Sequence, residues 1–513
     1  MAAAKYDFVI AGAGIAALST ARYIARLCPA STIALVTPHA PMSQTSSLST
    51  ECYRDHWPSR TMRAFMSRSI SLIHEHAQSN AFRVTPLGYL YCSTSPRAAA
   101  AYAAEAEECH GASATRAAHA AAQAAAWGCA PFGFSSPPAR GADVYATPAA
   151  VQAAFPYLAS GVQAALHTRN CGWVSAQTMG MDMLDTLLAR RGGSGALTTL
   201  IRGHVVGGEG SGSRLGAVHV QPLSGAAQAL RVECGAFVNA SGPFLASTHR
   251  AVTGAARHSP GELPIRTEVH SKVIFRDVLG VIPRDTPQVI LAEPAVPLWD
   301  AAELEYIAET HGVETARRAA CAMPSGAHFR PYGGAESNAV LMLWEAWHHG
   351  VEPFEPPPDS ADQYLDKAMY PEIVLRGLAN LVPGLRAYFE EAALAKWRAA
   401  RGLSPSAPAP SLIEPITDGG YYTKTEENHP LIGPTPGPGG VGRMDNAFTC
   451  GAVSGYGIMA GHAAGELCAL HATGASALPE YAGLMSPLRY QDEGFMRKGG
   501  IRDQLLAAGG GQL

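Results

Sequence analysis

Gly12, Gly14 and Ala17 form a G-x-G-x-x-A spacing directly after the apolar run Phe8-Val9-Ile10-Ala11 and directly before a helical stretch, residues 18–27. Those residue types at that spacing bind a diphosphate. Gly12 permits a tight turn, Gly14 lets a pyrophosphate approach the backbone, and the small Ala17 lets helix and strand pack closely. The helix start then offers unpaired N–H groups and a partial positive charge to the phosphates. Strand, turn and helix fall in the order of a dinucleotide-binding unit, so a dinucleotide cofactor is expected. The next strand, residues 32–36, should end on an Asp or Glu that grips ribose hydroxyls. Thr37 stands there instead. Its hydroxyl can still hydrogen-bond a ribose, less strongly than a carboxylate. No Lys or Arg occurs between Arg26 and Arg54, which argues against a 2′-phosphate at this turn.

The chain around this unit has 513 residues, enough for two or three domains with sizeable cores. It is 47% hydrophobic and 16% charged, with a net charge of −4. Neither nucleic-acid binding nor a polybasic membrane contact is expected. The 10 cysteines are scattered and include no C-x-x-C. That disfavours a zinc site or a dithiol centre, and no metal is expected; reduced, mostly buried thiols fit better. The N-terminus shows neither the charged nor the apolar region of a signal peptide, and no apolar run is long enough to span a bilayer. A cytoplasmic location is expected.

After the first unit comes a hydroxyl-rich loop, Ser43-Gln44-Thr45-Ser46-Ser47-Leu48-Ser49-Thr50, and then a helix over residues 59–77. Residues 87–92 read as a strand. Residues 98–127, dominated by Ala, read as a helical insertion. The Gly-rich stretch 192–212 reads as loops or strand connections. Residues 235–244 read as a buried strand ending in a small-residue turn. Residues 269–275 and 339–344 read as strands of an antiparallel sheet, residues 372–401 as helical, and the last 20 residues as a loose tail.

Three further motifs extend the pattern. They are Val238-Asn239-Ala240-Ser241-Gly242-Pro243, then Asn428-His429-Pro430-Leu431-Ile432-Gly433-Pro434, then Thr449-Cys450-Gly451-Ala452-Val453-Ser454-Gly455-Tyr456-Gly457-Ile458-Met459. In order and spacing they resemble the D-amino-acid oxidase superfamily of FAD-dependent oxidoreductases, in the branch of sarcosine oxidase, glycine oxidase and dimethylglycine dehydrogenase. The resemblance covers most of the chain apart from residues 98–147. It implies an α/β fold with a Rossmann-like, doubly wound FAD-binding domain built from residues 1–86, 148–260 and 413–480. A second, substrate domain on a mixed or antiparallel sheet would come from residues 87–147 and 261–412, with 481–513 as a C-terminal tail.

The implied FAD contacts are Gly12, Gly14, Ala16, Ala17, Thr37, Ser46, Ser47, Val205, Ala240, Gly242, Gly433, Gly455, Tyr456, Gly457 and Ile458. Ser46 and Ser47 would give hydroxyls and N–H groups to the pyrophosphate or the flavin edge. The helix after Ser454-Gly455-Tyr456-Gly457 would stabilise negative charge developing at the flavin N1–C2=O. Covalently flavinylated relatives use a Cys just before the Tyr-Thr pair, or a His in the loop after the second strand. Gly420 holds the first place here and the loop Ser46–Thr50 has no His, so non-covalent FAD is expected.

The implied chemistry is hydride transfer from the α-carbon of an amine or amino acid to flavin N5, giving an imine that water hydrolyses. The substrate domain should then present a cation for a carboxylate, and aromatic walls. Arg54 occupies roughly the place where relatives carry a substrate-facing basic residue. Arg330 and Lys272 lie on the expected antiparallel sheet, and an Arg holds a carboxylate through a bidentate fork. Tyr421 and Tyr422 should flank the flavin. His328 is a candidate base or substrate contact, with a structural histidine as the alternative. Sarcosine oxidases place a Lys where Met459 stands, and a second Lys that helps oxygen react has no counterpart in Val340-Leu341-Met342-Leu343-Trp344. The electron acceptor is therefore O2 or another oxidant. Two rival functions fit the same residues. One is a same-fold flavoenzyme oxidising a C–C or C–O bond in secondary metabolism, and the other is a non-catalytic assembly factor. Gly172-Trp173 lacks the W-x-W-x-I-P element of flavin halogenases, and a NAD-dependent dehydrogenase would leave the C-terminal Gly-rich element without a role.

Overall fold

The computed structural model describes residues 4–116, 140–193, 195–225, 228–334, 336–345, 349–350, 361–408 and 413–507. Its first sheet is built around strand Ala4–Ala11, which runs parallel to Ile33–Thr37 on one side and to Leu230–Asn239 on the other. The inner half of that strand, Phe8 to Ala11, is wholly buried, as an apolar strand covered on both faces must be. Thr198–Ser211 extends the sheet in parallel beyond Ile33–Thr37. Arg443–Gly451 extends it beyond Leu230–Asn239, and Leu431–Pro436 closes that edge antiparallel. Helices Ile15–Leu27, Arg60–Ala77 and Gly457–Ala472 share one core with the sheet. Small residues let two of them approach closely. A Cβ on Gly465 would lie 2.4 Å from Ser19 Cβ, and one on Gly461 would lie 2.6 Å from Ile15 Cγ1.

The Gly-rich stretch differs from its expectation. Thr198–Ser211 is one long strand, antiparallel to Arg214–Pro222 over its second half. The reason is close backbone approach. A Cβ on Gly203, Gly208 or Gly210 would sit 2.6 Å from Gln221 O, 2.4 Å from Val252 O or 2.2 Å from Arg214 O. Gly203 and Gly210 admit the neighbouring strand, Gly208 admits the helix Leu245–Thr253, and none of the three forms a turn.

The second sheet is mixed. Its order is Ile416–Thr425, Ile265–Arg276, Ala339–Leu343, His328–Pro331, Gln288–Leu291, Tyr89–Ser93, Ala164–Thr168, Ala142–Tyr145 and Ala114–Arg116. Only Gln288–Leu291 with Tyr89–Ser93, and Ala114–Arg116 with Ala142–Tyr145, pair in parallel along this order. Ala164–Thr168 and Ile416–Thr425 fall in segments expected within the first domain, yet they pair into this sheet. Ile416–Thr425 thereby bridges the two halves, because its later residues also meet the first sheet's loops.

Two helical expectations change. The Ala-rich helix is Ala98–His110 and stops at Gly111, whose φ is 53°; its expected continuation over 117–127 lies outside the described residues. Residues 372–401 form two helices, Met369–Leu378 and Glu391–Ala400, because Pro383 begins a separate 3-10 turn between them. Residues 481–495 are anchored: Arg489 and Glu427 form a buried ion pair at 2.6 Å, and Tyr481, Met485 and Phe495 are buried, while the last described helix, Ile501–Ala507, buries no residue. No described helix is long and apolar enough to cross a membrane.

Candidate functional site

A cavity of about 510 Å³ opens at the ends of Ala4–Ala11 and Ile33–Thr37, where doubly wound sheets take ligands. Gly12 forms its floor. Its φ of +118° and the 2.3 Å that would separate a Cβ from Ala240 O exclude any side chain. Gly14 starts the helix Ile15–Leu27 with no side-chain cap of its own, so first-turn N–H groups beyond that of Ile15 remain for a ligand. Ser46 stands in this mouth, its Oγ accepting from the Ile15 N–H at 3.1 Å.

Helix Gly457–Ala472 also starts uncapped. The chain reaches it through Ala452 and Ser454 at φ 54° and 46°, a left-handed conformation that is costly for residues with side chains. The Ser454 N–H donates to Thr423 O at 2.9 Å. Nearby, Thr45 Oγ1 donates to Tyr421 O at 3.1 Å. These bonds fasten strand Ile416–Thr425 to the loops of the first sheet.

Thr37 lines the cavity, but its hydroxyl turns back on its own loop. It donates to His39 O at 3.0 Å and accepts from the His39 N–H at 3.2 Å. The His39 ring stacks on Phe244 with centroids 5.4 Å apart. An aromatic wall thus lies two residues beyond Thr37, the position where a ribose-binding carboxylate was expected. No Asp, Glu, Lys or Arg lines the cavity among the described residues. A diphosphate there meets backbone N–H groups, hydroxyls and two helix starts, a donor set that suits a dinucleotide.

Of the expected cofactor contacts, Gly12, Gly14, Ala16, Thr37, Ser46, Val205, Ala240, Gly242, Gly455, Gly457 and Ile458 line the cavity. Ala17, Ser47, Gly433 and Tyr456 lie off it. Ala17 is fully buried in the helix–sheet core. Ser47 is exposed and donates to Gln44 O at 3.0 Å. Gly433, at φ 141°, lies beside His471 and Pro487. Tyr456 donates to Asn428 O at 2.7 Å and meets Trp57 edge-on.

Among the substrate-side candidates Tyr421 and Tyr422 line the cavity, and Arg54, Arg330, Lys272 and His328 do not. Tyr422 stacks on His270 with centroids 4.0 Å apart, and burial raises its pKa. Arg54 is buried; its Nη1 donates to the Tyr91 hydroxyl at 3.0 Å and its guanidinium lies 4.2 Å from the Trp57 ring centre. Burial works against its charge, and Tyr91 and Tyr89 more than offset that. His328 donates from Nδ1 to Gly326 O at 2.7 Å. Burial holds its pKa below the ordinary value, and Arg54 and Arg330 push the same way, so its Nε2 carries the lone pair of a neutral ring.

Arg330 and Lys272 face the loop after the second strand. Arg330 Nε and Nη2 donate to Thr50 O at 3.0 and 2.6 Å, and Nη2 reaches the Glu51 carboxylate at 3.2 Å. Lys272 Nζ donates to Leu48 O at 2.8 Å and pairs with Asp418. Burial lowers the Lys272 pKa and Asp418 opposes that shift. Ser49, His39 and Phe244 line the cavity without having been singled out. The only sequence signal for Ser49 is its place in the hydroxyl-rich loop; Phe244 directly follows the Ala240–Pro243 turn.

Residues 7–470 match the family model of the FAD dependent oxidoreductases (DAO). A search of curated proteins finds none that matches. Among solved structures the chain is similar to L-proline dehydrogenase from P. horikoshii, at 16% identity and TM-score 0.60, over 95% of this chain and 98% of that one. It is similar to glycine oxidase from Geobacillus kaustophilus, at 14% identity and TM-score 0.60, over 94% and 98%. It is also similar to iminodiacetate oxidase from Chelativorans sp. BNC1, at 14% identity and TM-score 0.57, over 92% and 97%. At these identities the structural likeness is one of fold. The family match takes in every segment that forms the cavity, and the chain belongs to the FAD-dependent oxidoreductases.

Proposed function

We propose that the protein is an oxidase or dehydrogenase acting on an amine or amino acid, a small-molecule donor with a CH–NH or CH–NH2 bond, with FAD held non-covalently. The observation that supports this reading is Arg54, a buried guanidinium that lies over Trp57 and donates to Tyr91, in a chain that also carries a cavity suited to FAD. When bound, FAD would supply the acceptor for a hydride from the donor's α-carbon and the route for its electrons to O2 or another oxidant.

The chain supplies binding, orientation and proton handling. Arg54 holds the donor's carboxylate, and its bond to Tyr91 and its stack on Trp57 fix the plane of the fork. Neutral His328 accepts a proton from the donor's ammonium at Nε2, so that the nitrogen lone pair is free when the hydride leaves. Tyr422, rigid against His270, walls the reacting centre and excludes water. The uncapped start of Gly457–Ala472 stabilises negative charge on the cavity side. Gly420 carries no side chain that could bond a flavin.

The reading is tested by turnover of a panel of amino acids, N-methyl amines, alcohols and hydroxy acids, with O2 uptake and reduction of an artificial dye measured in parallel. Turnover of an amino acid or amine, with release of ammonia or methylamine, is the expected result. Turnover confined to alcohols or hydroxy acids would overturn it.

A further inference from the structure

We propose that Ser49 is a cofactor-contacting residue, and that Lys272 and Arg330 are positioning residues that aim its two donors into the cavity. The proposal rests on reading the cavity as the FAD site.

Lys272 reaches from the second sheet to the Leu48 carbonyl. The peptide bonds of the described chain are all trans, so the Leu48 C=O and the Ser49 N–H point in opposite directions. Drawing the carbonyl towards the second sheet turns the Ser49 N–H towards the cavity that Ser49 lines. Among the described residues this N–H meets no protein acceptor. Arg330 repeats the device two residues on. It holds the Thr50 C=O, which turns the Glu51 N–H back onto Ser49 Oγ at 3.0 Å. With Oγ accepting that bond, its own hydrogen is left to donate. Two cations thus act through two peptide units on one serine.

The loop is held in a shape it would not take alone. Glu51 has φ +62°, a strained value for a residue with a side chain. Its carboxylate is gripped by the Ala176 N–H at 3.1 Å and by Arg330, and Asp418 balances Lys272. A cation on a carbonyl polarises the peptide and strengthens its N–H as a donor. The matching ligand chemistry is a ring edge that gains negative charge, as a flavin's does on reduction. Lys272 and Arg330 therefore act on the cofactor's surroundings and leave the substrate carboxylate to Arg54.

The test uses the full chain as Ser49→Ala, Lys272→Met and Lys272→Arg. FAD affinity is read by flavin fluorescence quenching, the potential of bound FAD by dye equilibration, and amide exchange over residues 45–51 without FAD. Ser49→Ala and Lys272→Met should each weaken FAD binding about tenfold. Each should also lower the two-electron potential by about 30 mV, the equivalent of tenfold. Lys272→Arg should restore both, and Lys272→Met should speed exchange in the loop but not in Ala4–Ala11. Unchanged affinity and potential in Ser49→Ala would overturn the proposal, and that variant decides it alone if Lys272→Met fails to fold. A parent chain that takes up no FAD would overturn the cavity reading too, so the two failures are distinct.

Discussion

Gly12 and Ala240 touch so closely that a Cβ on the glycine would sit 2.3 Å from the Ala240 carbonyl oxygen. The contact joins two motifs more than two hundred residues apart and is reinforced by the Ala240 N–H, which donates to Ala11 O at 2.9 Å. It leaves the cavity a floor of bare backbone. Gly12→Ala is expected to cost about 3 kcal/mol or more through clash and strained φ, and to yield protein without visible flavin absorbance. Gly14→Ala should be milder, because its Cβ meets only the Ser46 hydroxyl, at 3.1 Å. Thermal melts and absorbance of the two purified variants check both statements.

Arg54→Met should lower kcat/KM for carboxylated donors about 10- to 100-fold, the worth of a charged hydrogen bond. Donors without a carboxylate should change far less. Equal losses for both classes would show that Arg54 acts on the fold and not on the carboxylate.

The protein should lose stability in mild acid, and His74 carries part of that loss. Burial, with Arg140 adding to it, lowers the His74 pKa from 6.5 to about 4. The unfolded chain therefore takes up the proton first as pH falls. Stability is full above about pH 6.5 and declines towards pH 4, by about 3 kcal/mol in all from this group. Urea midpoints at pH 7 and pH 5 should converge in His74→Gln relative to the parent.

Gly465→Ala should destabilise the protein by about 1–3 kcal/mol. Its Cβ would enter the helix Ile15–Leu27 at Ser19, 2.4 Å from that residue's Cβ and 2.5 Å from its backbone carbon. The same displacement moves the first turn at Gly14, so FAD release should occur at a lower temperature than in the parent. Flavin fluorescence during a thermal ramp reads both events.

The parts of the site set by local spacing are legible in the sequence. The turn at Gly12–Ala17 and the helix start at Gly457 lie where their glycines place them, since φ and close approach leave few alternatives. Partners set by tertiary contact are not legible. Nothing near Arg330 or Lys272 in the chain signals that their targets are carbonyls 280 and 224 residues away. Thr37 reads as a weakened ribose contact, but only the fold shows its hydroxyl closed on His39. The glycines of Thr198–Ser211 read as breakers because sequence cannot distinguish a glycine that bends from one that admits a neighbouring backbone.

The most direct measurement of the central claim is the anaerobic absorbance spectrum of the purified full chain, before and after addition of amino acids and N-methyl amines. The account predicts an oxidised flavin spectrum that one of these donors bleaches, with the flavin released into the supernatant when the protein is precipitated. A flavin that no amine or amino acid bleaches would contradict the proposed chemistry, and protein that binds no flavin would contradict the reading of the cavity itself.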